Sequence, residues 1–250
     1  FLESIHKAQF KALPSGFKNL SASEIEQINK DPYASPWMAQ QEKGTRPASP
    51  LPYQLYADGK LSDDGQTFKI KFAAGNEVFG ASAAGSPFYV YMPEKDVAPR
   101  NYAVNAGDQL IDEWALNANE NYHLQVYGPN GFFREFTGNG NDPAIDIALE
   151  YQRTAAAKKA LTGNVEIKLR NTGKQKITVE VSDNAYKGKA QTKIINPGAQ
   201  ATLIADLSKN SGWYDLSVKV KGQKDFEKRY AGRVETGRIS ITDPVMGRMV

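Results

Sequence analysis

Tyr122-His123-Leu124-Gln125-Val126-Tyr127-Gly128-Pro129-Asn130-Gly131-Phe132-Phe133-Arg134-Glu135-Phe136 is the stretch whose reading decides the fold class. Tyr122, Leu124 and Val126 alternate with polar residues, the period of a strand with one face buried and one wet. Proline at the first central position of a turn, with Asn130-Gly131 behind it, predicts a hairpin into the apolar run that follows. Outward from this hairpin, Tyr53 to Ala57, Phe68 to Phe72, Phe88 to Tyr91 and Tyr102 to Val104 are further short β-rich runs. Turn residues at Asp58-Gly59 and Asp63-Asp64-Gly65 lie between them. Strands so spaced, without long helices between them, indicate antiparallel sandwiches.

The second half repeats the first. Phe68 to Phe72 corresponds to Val165 to Leu169, and Tyr102 to Gly107 to Lys193 to Gly198, both with a strand before Asn-X-Gly. Tyr122 to Val126 corresponds to Tyr214 to Val218, and Phe136-Thr137-Gly138 to Tyr230-Ala231-Gly232. Four matches in one order, at an offset of about ninety residues, predict two tandem immunoglobulin-like antiparallel β-sandwiches of an all-β chain. Their expected limits are residues 51–141 and 144–242, with a tail at 243–250. In the second copy Tyr214, Leu216, Val218 and Val220 share one face, and Lys219 and Lys221 the other, where lysines guard a sheet edge.

Residues 1–50 read differently, as a short helical and irregular segment. Ser21 followed three residues later by Glu24 predicts a capping box and a short helix. Pro32, Pro36, Pro47, Pro50 and Pro52 then exclude helix or central strand and predict an extended connector. The chain opens at Phe1 with neither a basic nor an apolar leader, as expected of a piece cut from something longer. It has no cysteine, which excludes disulfides, thiolate metal sites and a cysteine nucleophile. The net charge of +3 hides a split, −5 over residues 1–143 and +8 over residues 144–250.

Chemistry-bearing constellations are sparse. The two histidines, His6 and His123, lack the spacing of metal ligands, and no nucleophile elbow or phosphate-binding glycine loop occurs. Ser4 to Lys7 and Ser182-Asp183-Asn184 mimic two motifs of penicillin-recognising enzymes, but the third is missing. Asn139-Gly140-Asn141-Asp142, with Asp146, is oxygen-rich yet reads as an inter-domain turn. Two groups of residues remain as surface candidates. Phe132, Phe133 and Trp213, with the basic hairpin of Lys219, Lys221, Lys224, Lys228 and Arg229, suit a lipid surface or a neighbouring domain. Arg233, Glu235, Arg238 and Asp243 suit an interface with a further domain, or a structural ion-pair network.

Several segments resemble the C-terminal part of the bacterial phosphocholine-preferring phospholipases C. They are Ile5 to Phe10, Gln41 to Pro47 with Leu51-Pro52-Tyr53, Tyr127 to Phe132, and Ala231 to Gly237 with Asp243-Pro244. The resemblance covers nearly the whole chain, with residues 155–160 around Lys158-Lys159 the least easily placed. It implies that residues 1–50 are the tail of a catalytic domain and its connector, followed by two non-catalytic repeats. It also implies an N-terminal catalytic domain in cis that hydrolyses phosphatidylcholine, and in some members sphingomyelin, releasing phosphocholine. No cofactor is expected in these 250 residues, a divalent metal belonging to that catalytic domain. A phospholipid membrane surface is the expected partner, nucleic acid is not, and the location is extracellular or periplasmic. A free-standing carbohydrate- or adhesion-type sandwich is the competing expectation.

Overall fold

The computed structural model describes residues 19–34, 42–117, 120–155 and 160–250. His6, Ser4 to Lys7, the Ile5 to Phe10 motif and Lys158-Lys159 lie outside them. The chain divides into two compact units, Phe1–Glu42 and Lys43–Val250. In the first, helix α1 spans Ala22–Lys30. Its start is the expected capping box: the Glu24 amide donates to Ser21 Oγ at 3.3 Å while the Ser21 amide donates to Glu24 Oε2 at 2.8 Å. A 3-10 turn follows at Pro32–Ala34.

The second unit is all antiparallel β. Its first half contributes β1 (Pro47–Ala48), β2 (Leu55–Leu61), β3 (Thr67–Ala74) and β4 (Ser86–Tyr91). It continues with β5 (Arg100–Val104), β6 (Gln109–Ala115), β7 (Tyr122–Tyr127) and β8 (Phe133–Gly138). The second half contributes β9 (Ile145–Arg153), β10 (Leu161–Asn171), β11 (Ile177–Asp183) and β12 (Gln191–Ile195). It ends with β13 (Gln200–Ala205), β14 (Trp213–Val220), β15 (Glu227–Arg233) and β16 (Ser240–Ile241). Two three-stranded sheets, β2-β3-β6 and β13-β10-β9, lie over one eight-stranded sheet of order β12-β11-β14-β15-β8-β7-β4-β5. Each half encloses its own apolar core. The first is built on Phe68, Ile70, Phe72, Phe88, Leu124 and Phe136, the second on Val165, Ile167, Val179, Val218 and Tyr230.

The turns behave as their residues require. Asn130 and Gly131 have φ of 58° and 73°, and the Phe132 amide donates to the Pro129 carbonyl at 3.2 Å. Positive φ at both central positions is the primed turn that matches strand twist, so proline precedes the centre instead of occupying it. The paired Asn-X-Gly turns also agree: Asp108 donates to Asn105 and Ala199 to Asn196, each at 3.0 Å. Asp58-Gly59, expected as a turn, lies inside β2. The reason is steric: a Cβ at Gly59 would stand 2.6 Å from the Phe68 ring.

The eight-stranded sheet is continuous because β15 pairs with β8, setting Phe136 opposite Lys228, Glu135 opposite Arg229 and Arg134 opposite Tyr230. Both are the last sheet strands of their repeats and would otherwise be open edges. Phe136 and Tyr230 are equivalent, so Arg134 and Lys228 are equivalent too, and a local two-fold axis passes between Glu135 and Arg229. Lys219 and Lys221 guard no edge, because β14 lies between β11 and β15.

Candidate functional site

The seam between the repeats concentrates buried charge. Period two in β8 turns Arg134 inward with Phe132 and Phe136, and in β15 it turns Lys228 inward with Phe226 and Tyr230. Arg134 is 1% exposed and Lys228 3%. Arg134 Nη1 donates to the Phe133 and Ala231 carbonyls at 2.8 Å each, and Nη2 to the Tyr214 hydroxyl at 3.1 Å. Its guanidinium lies 4.0 Å from the Phe132 ring centre and 5.2 Å from that of Tyr230. Lys228 Nζ donates to the Gly59 carbonyl across the seam and sits 6.0 Å from the Phe136 ring. Each cation thus lies over an aromatic ring of the opposite repeat.

Burial pushes the Lys228 ammonium down to about 8, against the pull of Asp58, Asp142 and Asp146. Burial likewise holds the Asp58 carboxyl above its usual range, offset by Arg134, Lys228 and the Leu149 amide. Above these groups, β2 and β9 meet without a ladder. Tyr151 donates its hydroxyl to the Leu55 carbonyl at 3.1 Å, and Lys60 pairs with Asp146 at 2.7 Å. A cleft of about 680 Å³ opens at one end of the seam, lined by residues including Lys60, Asp64, Asp142, Asp146, Arg170 and Lys228. Its charges are of both signs, and the Asn139–Asp142 turn beside it is closed by its own bonds: the Asn139 amide donates to Asp142 Oδ1 at 2.9 Å. Among the described residues no three carboxylates or histidines gather as metal ligands.

A second polar cluster holds the ends of the unit together. Buried Arg233 pairs with Glu235 at 3.3 Å, and Glu235 accepts from Asn130 Nδ2 at 2.7 Å and from the Leu51 amide at 3.3 Å. Arg233 lies over the Trp213 ring, whose Nε1 donates to the Ile241 carbonyl at 3.1 Å. Asp243 stands apart, accepting from the Tyr186 hydroxyl at 2.9 Å, and Arg238 is exposed. The four residues expected at one interface are therefore not brought together. Two form an internal ion pair, one anchors the tail and one is free-standing on the surface.

The expected basic hairpin dissolves as well. Lys228 is inward and buried, Arg229 is clasped by Asp215 at 2.7 and 2.6 Å, and Lys219 pairs with Glu227 at 3.0 Å. Of the five, Lys221 and Lys224 are left as exposed surface lysines. Phe132 is buried in the first core and Trp213 between Arg233 and the Gly131 turn, leaving only Phe133 of the three partly exposed. Sequence reasoning overlooked what surrounds Phe133. Tyr89, Tyr91 and Tyr127 are 43%, 42% and 41% exposed on the outer face of the large sheet. Their signal was present in the alternation of β4, whose Phe88 and Val90 are the inward residues.

Comparison with known proteins places the fold in a family. The family model described as "Bacterial phospholipase C, C-terminal domain" matches residues 47–139 and again residues 145–233. A non-hemolytic phospholipase C of Pseudomonas aeruginosa is 33% identical over 235 residues, covering 90% of this chain and 32% of that protein. A non-hemolytic phospholipase C of Burkholderia pseudomallei is 34% identical over 218 residues, covering 86% and 30%. The hemolytic phospholipase C of Pseudomonas aeruginosa is 34% identical over 232 residues, covering 82% and 30%. The chain thus spans about a third of the length of these relatives.

Proposed function

Since this chain belongs to the bacterial phospholipase C, C-terminal domain family, we propose that it is the non-catalytic accessory region of such an enzyme. Its work is to stabilise and orient a catalytic domain in cis and to help that domain meet phospholipid. The observation that carries this reading is the double match of one family model, once on each half of a single continuous sheet. A unit whose buried charges are spent on joining its own halves is built as a rigid body. Arg134, Lys228, Arg233 and Glu235 all serve such joints.

The way the unit is tied supports the orienting role. Gly44 donates to the Gly247 carbonyl at 2.9 Å, Thr242 to the Arg46 carbonyl at 2.9 Å, and β1 pairs with β16. These bonds hold the entry of the second unit against its own last residues. In this reading the parent enzyme is secreted and cleaves phosphatidylcholine, and sphingomyelin in some members, to phosphocholine. Any divalent metal belongs to its catalytic domain.

Turnover of phosphatidylcholine by three proteins tests the reading: this chain, the full-length enzyme, and that enzyme truncated before residue 43. The chain alone is expected to be inactive, and the truncated enzyme to melt lower than the full-length one. Hydrolysis by the isolated chain, or a truncated enzyme of unchanged stability and activity on vesicles, refutes it.

A further inference from the structure

The outer face of the eight-stranded sheet differs between its halves at equivalent positions. Tyr89 lies opposite Tyr127, and Tyr127 opposite Phe133, so three strands place aromatic rings in one row, with Tyr91 beside it. In the second repeat the corresponding pair is Glu180 opposite Lys219, Ser182 stands for Tyr91 and Glu227 for Phe133. A wet sheet face needs only polar residues to fold, as the second repeat demonstrates. Four partly exposed aromatics in contiguous register therefore answer to something outside the sheet.

The chemistry of the patch narrows the occupant. Tyr91 and Tyr127 meet at 88° with centroids 5.5 Å apart, and Tyr127 and Phe133 at 56° and 5.0 Å. Rings so inclined form no common flat platform for an extended sugar chain. Tyrosines with an apolar body and a wet hydroxyl suit the boundary between acyl chains and headgroups. Among the described residues, the cation beside the patch is already matched: Arg229 is held by Asp215 and lies 3.8 Å from Glu135. A patch without surplus cations complements a zwitterionic surface better than an anionic one.

We propose that Tyr89, Tyr91, Tyr127 and Phe133 form the face by which this chain docks on the interface of a zwitterionic phospholipid bilayer. The proposal rests on the accessory reading above and assigns its lipid contact to the first repeat, away from the lysines of the second. Vesicles of pure phosphatidylcholine are the probe, and the 250-residue chain is expected to cosediment with them equally at low and high salt. The variant Tyr89→Ser, Tyr91→Ser, Tyr127→Ser is expected to lose partition by roughly tenfold at an unchanged melting temperature. Glu180→Ser with Lys219→Ser, at the equivalent positions, is expected to bind like the parent chain.

Absence of cosedimentation overturns the proposal, as does an equal loss in both variants. Binding that requires anionic lipid and vanishes with salt overturns it too, as does retention on an insoluble polysaccharide that the tyrosine variant loses. A chain that leaves vesicles unbound while the truncated enzyme is destabilised sinks the docking face alone. Turnover by the isolated chain sinks the accessory reading, whatever the vesicles show.

Discussion

The two repeats place a cation at the same inward position of their last sheet strand, Arg134 in one and Lys228 in the other, and fare differently with it. Arg134 spreads its charge over two carbonyls, a hydroxyl and three aromatic rings. Lys228 has the Gly59 carbonyl and one ring, and its ammonium is driven down to about 8 by burial. A planar fork with five donors can be satisfied inside a protein where a compact, strongly hydrated ammonium is not. Duplication therefore gave the seam a geometric two-fold axis without an energetic one. The Arg134 side is a joint, and the Lys228 side is a joint under titration.

The comparison can be broken most sharply at Arg134. Arg134→Met removes the donor that two carbonyls and the Tyr214 hydroxyl share in the seam, and is expected to cost about 3–5 kcal/mol in urea denaturation. If the cost is under about 1 kcal/mol, the arginine is no joint. Gly59→Ala attacks the other side: a Cβ 2.6 Å from Phe68 and 3.0 Å from Phe136 must shift both rings. An overpacking loss of about 1–3 kcal/mol is expected, with the Lys228 acceptor displaced as well.

Titration sharpens the contrast more gently. Lys228 binds its proton less tightly folded than unfolded, so its charge is a burden on the native state below pH 8. Between about pH 8 and 9.5 the unfolded chain keeps the proton that the native state has released, so stability rises with pH, by up to about 2 kcal/mol. Above pH 10 the trend reverses, because burial raises the phenols of Tyr122 and Tyr230, whose ionisation then favours unfolding. Denaturation midpoints at constant ionic strength should show the rise in the native sequence and not in Lys228→Met; a rise in both would assign it elsewhere. Smallest of all, Lys221→Gln with Lys224→Gln should change stability by no more than about 0.5 kcal/mol.

Much of the architecture was legible. The hairpin at Pro129 to Phe132, the internal repeat and the alternation of β14 all follow from local chemistry, which the tertiary structure does not override. The joint was harder to read, because Arg134 and Lys228 carry the pattern of ordinary polar residues. Parity held the clue: each shares a face with core aromatics, Phe132 and Phe136 in one strand, Phe226 and Tyr230 in the other. A charge on the core side of both final strands points to an edge that something covers. Asp58-Gly59 misled for the same reason. The dipeptide that usually reverses a chain lies here inside a strand, where the missing side chain leaves room for the Phe68 and Phe136 rings and the Gly59 carbonyl accepts from the opposite repeat's lysine. The tyrosine row has no motif and shows only as the alternation of β4, whereas the conspicuous aromatics Phe132 and Trp213 are buried.

The clip that joins residues 44–48 to residues 240–247 makes the two extremities of the paired sandwiches immediate neighbours. Neighbouring extremities allow a module to be grafted into a host loop or circularly permuted at little cost to its core. The paired sandwiches are therefore a unit whose first and last strands can be joined with little disturbance to either core.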